Sequence, residues 1–158
     1  MGITWARQKK QECWITALAM VTGKTLDVLH AEFTELAGKT YHEAKAEQVT
    51  ELWWNTVRIL HNRYNLCGAG GTFGATVLDT PVMDGAKRKN LTPKMLNGKG
   101  ILGFHVVGKF AHAVAFEDGF ILDPEIEGRM TLATFRKYYR LATRHYTWRI
   151  DRVDTTVV

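Results

Sequence analysis

Cysteine is scarce in this chain: Cys13 and Cys67 are the only two among 158 residues. They are too few for a disulfide framework and lack the paired spacing of a zinc ribbon. Histidine supplies no metal motif either, because His30, His42, His61 and His145 do not form a His-Glu-x-x-His pattern. Those four read as surface or boundary residues, and neither a metal nor a cofactor is expected. Long apolar runs are missing too. No stretch approaches the roughly eighteen residues of a membrane span, and no apolar run of signal length precedes Lys9 and Lys10. The start, Met1-Gly2-Ile3-Thr4-Trp5-Ala6, misses the myristoylation pattern, which needs Ser or Thr where Ala6 stands. These absences predict a protein without a membrane partner, in a reducing, cytoplasmic setting. Internal repeats, low-complexity tracts and linkers are also absent, so residues 1–158 read as a single domain, long enough to bury a sizeable core.

Hydrophobic residues make up 46% and charged residues 23% of the chain, values that suit a folded soluble protein rather than a disordered one. The 21 basic and 16 acidic side chains leave a net charge of +5, which favours anionic partners without identifying one. Nucleic acid enters as a rival partner through Lys87-Arg88-Lys89 and the flank Arg58, His61 and Arg63. Residues 67–74, Cys-Gly-Ala-Gly-Gly-Thr-Phe-Gly, lack the Gly-Lys-Ser/Thr ending of a phosphate loop and have no strand before them, so they read as a connector.

Helical signals fill the first part of the chain. An apolar run from Cys13 to Thr22 ends at Gly23, and Thr25 caps a second helix with Leu26, Leu29, Phe33 and Leu36 on one face. Thr40 and Glu43 have capping-box spacing and open a third helix reaching about Tyr64. Its core stripe is Ala46, Val49, Trp53, Leu60 and Tyr64, with Trp54, Arg58 and His61 off it. An irregular loop follows, then a short helix from Thr92-Pro93 to Asn97. From residue 101 the pattern changes to short runs of branched and aromatic residues, 101–107, 110–116, 120–123 and 146–150, with an amphipathic helix at 131–139. Helices first and strands second predict an α+β fold, a helical half packed on an antiparallel sheet.

Two places carry chemistry. Cys13 stands where the polar run Arg7-Gln8-Lys9-Lys10-Gln11-Glu12 gives way to the first helix, and the unpaired N–H groups of a first helical turn favour a thiolate. Asp118-Gly119 is a two-residue hairpin signal. Its register sets Val114 opposite Asp123, so His112 and Asp123 become diagonal neighbours on one face, about 7 to 8 Å apart at their backbones. An aspartate holding one imidazole nitrogen leaves the other free to take a proton from a thiol. His105 competes with His112 for the base, since a Gly108-Lys109 turn would place the two opposite each other. Asp123 has a plainer alternative, as the cap of an Asp-Pro turn.

The stretch from Gln8 through Cys13-Trp14 to Gly23, followed by His112-Ala-Val-Ala-Phe-Glu-Asp-Gly-Phe-Ile-Leu-Asp123-Pro124, resembles the papain-like cysteine peptidases. It is most similar to the compact group of bacteriocin-leader (double-glycine) peptidases. The resemblance implies a papain-like fold and a peptide or protein substrate, with Cys13 as nucleophile, His112 as base, Asp123 as its orienter and Gln8 as oxyanion donor. Gln8 lies five residues before Cys13 where six is common, which leaves Gln11 as a rival donor. Trp14 replaces the glycine frequent after the nucleophile in that group, although it matches papain. The implied activity is hydrolysis of a peptide or isopeptide amide. Two alternatives stay open: acyl transfer to an amine, as in transglutaminase-like enzymes, and a catalytically inactive peptidase fold that serves as a binding or inhibitor protein.

Overall fold

The computed structural model describes residues 2–9, 11–46, 50–68, 91–106, 110–141 and 146–154. Helix α1 (Cys13–Thr22) is apolar almost all round, and Trp14 to Val21 are buried. It ends at Gly23, whose φ of 73° is left-handed, as the sequence predicts. Helix α2 (Leu26–Ala37) starts at Thr25, whose hydroxyl accepts the Val28 N–H at 3.2 Å. Helix α3 (Tyr41–Ala46) carries the expected capping box. The Thr40 N–H donates to Glu43 Oε1 at 3.0 Å and the Glu43 N–H to Thr40 Oγ1 at 3.2 Å.

The single long third helix expected from the sequence is instead two, α3 and α4 (Thr50–Arg63), with 47–49 outside the described residues. The buried face changes with it. Thr56, Val57, Leu60 and His61 are buried on α4, Trp53 is half-buried, and Trp54 and Arg58 are exposed. His61, read from the sequence as a surface residue, is therefore in the core. Its imidazole is stacked on Trp14 and accepts the Trp14 indole N–H at 3.0 Å.

Strands β1 (Leu66–Gly68), β2 (Lys99–Val106), β3 (Phe110–Glu117), β4 (Phe120–Leu122), β5 (Arg129–Thr131) and β6 (Tyr146–Val153) form one antiparallel sheet of order β1-β6-β2-β3-β4-β5. A 3₁₀ turn (Pro93–Leu96) precedes β2, and α5 (Leu132–Tyr139) follows β5. The fold is α+β. The start of the expected connector is an edge strand: Cys67 and Gly68 belong to β1, paired with β6. The remainder, with Lys87-Arg88-Lys89, lies outside the described residues, as does His145.

The Asp118-Gly119 hairpin has the predicted register, Phe116 opposite Ile121 and Ala115 opposite Leu122, with φ of 49° and 89° at the turn. The β2/β3 register differs by one residue from that of a Gly108-Lys109 turn. His105 pairs with Ala111, and Phe104 with His112, because three residues, 107–109, rather than two separate the last paired residues Val106 and Phe110. Gly100 fixes where β2 lies between its neighbours. A Cβ there would sit 2.2 Å from the Asp151 carbonyl oxygen and 2.8 Å from the Phe116 ring.

Alternation divides the core. Ile101, Ala113, Ala115 and Leu122 pack with α1, α2 and α4, while Leu102, Val114, Phe116, Ile121 and Ile150 pack with Phe135 of α5 and with Leu91 and Leu96. Helix α1 lies against β3 and β2, which brings the start of the chain to the sheet. Among the described residues, no helix is long and apolar enough to cross a membrane.

Candidate active site

Cys13 is the first residue of α1, and the chain bends sharply to reach it. Gln11 takes a left-handed φ of 60°, a conformation costing a non-glycine residue about 1 to 2 kcal/mol. The bend is held by Glu12 N–H to Lys9 O at 3.2 Å and by Lys45 Nζ to Gln11 O at 3.0 Å. Glu12 stands at the N-cap position without a side-chain capping bond, because its buried carboxylate bridges two imidazoles, His30 Nε2 at 2.7 Å and His42 Nε2 at 2.9 Å. Burial alone would push the Glu12 carboxyl up. The bonds and charges of His30 and His42 outweigh that and hold it below the usual range. The approach to Cys13 is thereby tied to α2 and α3.

His112 meets Cys13 from β3. Its Nε2 lies 2.8 Å from Asp123 Oδ1, which leaves Nδ1 to interact with the Cys13 thiol. Burial is the largest influence on each partner and disfavours charge on both. For Cys13 it is overcome by the His112 bond and charge, by the Lys45 charge and by the Ala113 N–H, so the thiol ionises more readily than an ordinary one. For His112 it is overcome by the bond to Asp123, the bond to Cys13 and their charges, and the imidazole is pushed up to about 10. Both directions favour the thiolate–imidazolium form of the pair over the neutral one.

Asp123, fully buried, is positioned from several sides. It follows the end of β4, so the hairpin sets it diagonal to His112, as the sequence predicts. Oδ1 also accepts the Glu125 N–H at 2.9 Å, and Oδ2 accepts the Tyr139 hydroxyl from the end of α5. The Trp5 indole N–H donates to the Asp123 carbonyl at 2.7 Å, so the N-terminal segment clamps the same loop. Tyr139 and Phe104 also flank the His112 ring, with centroids 5.6 and 5.7 Å away. Tyr139 and Trp5 have no sequence motif, and only the packing of α5 and of residues 2–9 on the hairpin identifies them.

Cys13 and His112 open onto a cavity of ≈ 510 Å³ between the helical half and the sheet. Its helical wall is Trp14, Lys45, Trp53, Trp54 and His61, and its sheet wall includes Gly103, His105, Ala111, Ala113, Arg149 and Asp151. His105 thus lines the same cavity as His112. Among the described residues no acid is hydrogen-bonded to it, whereas Asp123 holds His112.

Gln8 lies on the far side of the His112–Asp123 pair and does not line this cavity. Its backbone N–H donates to Pro124 O at 2.9 Å and its Nε2 to Glu125 Oε1 at 3.3 Å. Gln11, the rival donor, is exposed. Ligand atoms of His112, Asp123 and Glu125 lie within 4.8 Å of one another and are those that could hold a cation. The His112 and Asp123 atoms are already spent on each other and on Tyr139, so a cation there would have to break the hydrogen bonds that align the imidazole. No family model, curated protein or solved structure matches the chain.

Proposed function

We propose that the protein is a papain-like cysteine hydrolase that cleaves a peptide or isopeptide amide. The observation that carries this reading is the chain of contacts from Cys13 to His112 and on to Asp123, with the thiol lowered and the imidazole raised. The Cys13 thiolate attacks the amide carbonyl, forming a C–S bond and an oxyanion. The His112 imidazolium gives its proton to the departing amine as the C–N bond breaks. Neutral His112 then takes a proton from water, whose oxygen displaces the thiolate from the thioester. The Cys13 backbone N–H at the helix start is one donor for the oxyanion. Gln8, whose Nε2 donates to Glu125 Oε1 at 3.3 Å, is the second donor that the resemblance implies.

Selective alkylation tests this. Iodoacetamide at pH 6 labels Cys13 at least about tenfold faster than Cys67, given that thiolate fraction sets the rate, and His112→Ala removes the difference. Equal, sluggish labelling of both cysteines overturns the nucleophile. Gln8→Ala leaves alkylation, which forms no oxyanion, unchanged, and slows amide cleavage by about 10²- to 10³-fold.

A further inference from the structure

Helix α3 is only 6 residues long, yet three of its side chains reach the turn that leads into Cys13. The Tyr41 ring, fully buried, lies parallel to that of Trp14 with centroids 6.4 Å apart, His42 Nε2 is 2.9 Å from Glu12 Oε2, and Lys45 Nζ donates to Gln11 O at 3.0 Å. Tyr41 fills the core, and His42 answers a buried carboxylate. Lys45 is not accounted for in that way. It is exposed and has no carboxylate partner among the described residues. Its ammonium is held instead over the Tyr41 ring at 5.6 Å and the Trp53 ring at 5.8 Å, two faces that attract a cation. An exposed lysine kept in one place gives up side-chain freedom that solvent would allow it, so the contacts that fix it outweigh that loss.

The position of Lys45 bears on both the backbone and the charge at Cys13. Gln11 stands at φ 60°, and the carbonyl that Lys45 holds orients the peptide between Gln11 and Glu12, one residue short of the nucleophile. That peptide sets how Cys13 and its backbone N–H enter α1. The held ammonium also lines the cavity onto which Cys13 opens, on the helical wall, whereas His112 comes from the sheet. Burial, the largest influence on the Cys13 thiol, opposes its ionisation, and the Lys45 charge joins the His112 bond and charge in outweighing it. We propose that Lys45 is a positioning residue for the reaction at Cys13, holding the turn before α1 through the Gln11 carbonyl and keeping a positive charge in the nucleophile's cavity. The proposal rests on Cys13 being the nucleophile.

The wild type is compared with Lys45→Met, which keeps the length of the side chain but neither its charge nor its donor, and with Lys45→Arg, which keeps both. At pH 6 and low salt, iodoacetamide labels Cys13 of Lys45→Met about two- to fivefold more slowly than that of the wild type, the scale on which an exposed charge acts on a neighbour, and Lys45→Arg restores the rate. In 1 M NaCl, where charges are screened beyond about 3 Å, the difference between the wild type and Lys45→Met shrinks. p-Nitrophenyl acetate reports the hold on the backbone. The thiolate attacks the ester carbonyl, p-nitrophenolate leaves, and the oxyanion formed in between takes the Cys13 N–H. Acetylation of Cys13, located by peptide mapping, therefore falls in Lys45→Met by a larger factor than alkylation does. Equal alkylation of the wild type and Lys45→Met, equal slowing in Lys45→Met and Lys45→Arg, or a difference that salt leaves unchanged overturns the role of the charge. Acetylation slowed no more than alkylation overturns the hold on the turn. Iodoacetamide that does not select Cys13 over Cys67 in the wild type overturns the hydrolase reading before any Lys45 variant is compared, so the two failures are distinct.

Discussion

His112 Nε2 and Asp123 Oδ1 are 2.8 Å apart, although Asp123 has no strand partner of its own and stands just beyond the last paired residue of β4. The contact is made diagonally across the hairpin, so it depends on the two-residue turn at Asp118-Gly119. It raises the basicity of His112, and through that imidazolium it stabilises the Cys13 thiolate. Asp123→Asn keeps the shape and removes the charge. Labelling of Cys13 at pH 6 then falls by about tenfold for each pKa unit the pair loses, a unit being worth 1.36 kcal/mol. An unchanged labelling rate means that Asp123 serves the turn and not the imidazole.

The pH profile of turnover follows from the same pair. The Cys13 thiol ionises more readily than an ordinary one, so the acid limb is displaced to lower pH than that of an ordinary cysteine. Amide cleavage also needs the imidazolium proton for the leaving amine, and His112 holds it to about 10, which places the alkaline limb there. Alkylation requires only the thiolate and does not fall on the alkaline side. Rates of alkylation and amide cleavage measured across pH 5 to 11 therefore diverge above about 10. Parallel decline of both would point to unfolding in place of loss of the general acid.

Tyr139 acts on the site only through Asp123. Its hydroxyl is a donor to a carboxylate that has no access to water, and Tyr139→Phe deletes that donor without opening a large void. A buried acceptor left short of a partner costs about 1 to 3 kcal/mol. The urea midpoint drops accordingly with the slope of the transition unchanged. Labelling of Cys13 at pH 6 falls less than in Asp123→Asn, because the His112–Asp123 bond itself survives. A loss as large as that of Asp123→Asn would show that Tyr139 fixes the carboxylate orientation and not merely its solvation.

What was legible in the sequence was local. Helix α1 with its Gly23 cap, the Thr25 and Thr40 caps and the Asp118-Gly119 hairpin each depend on residues within a few positions of one another. They suffice to place Cys13 at a helix start and His112 beside Asp123. The readings that required packing went otherwise. One helix from Thr40 to Tyr64 leaves His61 off the core stripe, whereas packing against the Trp14 indole buries it. The β2/β3 register hung on one residue of loop length, and β1 and β5, at 3 residues each, are too short to show a period. The cavity has no sequence signature at all, since its lining is gathered from α1, α3, α4, β2, β3 and β6.

Asp151 and His61 put opposing charges on the pH dependence of stability. Burial pushes the Asp151 carboxyl up to about 6, from 3.8, against the pull of Arg149, and burial together with the Arg149 charge pushes His61 down to about 3, from 6.5. Between pH 4 and 6 the unfolded chain binds a proton at His61 that the folded one refuses, so stability rises with pH. Over the same window the folded chain holds a proton on Asp151 that the unfolded one has released, so stability falls with pH. The two slopes cancel. Asp151→Asn removes one of them and uncovers the other. The variant's unfolding free energy then falls by about 1.4 kcal/mol more per pH unit than the wild type's as pH is lowered from 6 to 4. Urea titrations at half-unit pH steps give the difference directly, and the slope is independent of whatever constant loss comes from depriving Arg149 of its partner. A variant whose pH dependence matches the wild type's would mean that Asp151 is already ionised throughout this range, with Arg149 outweighing burial.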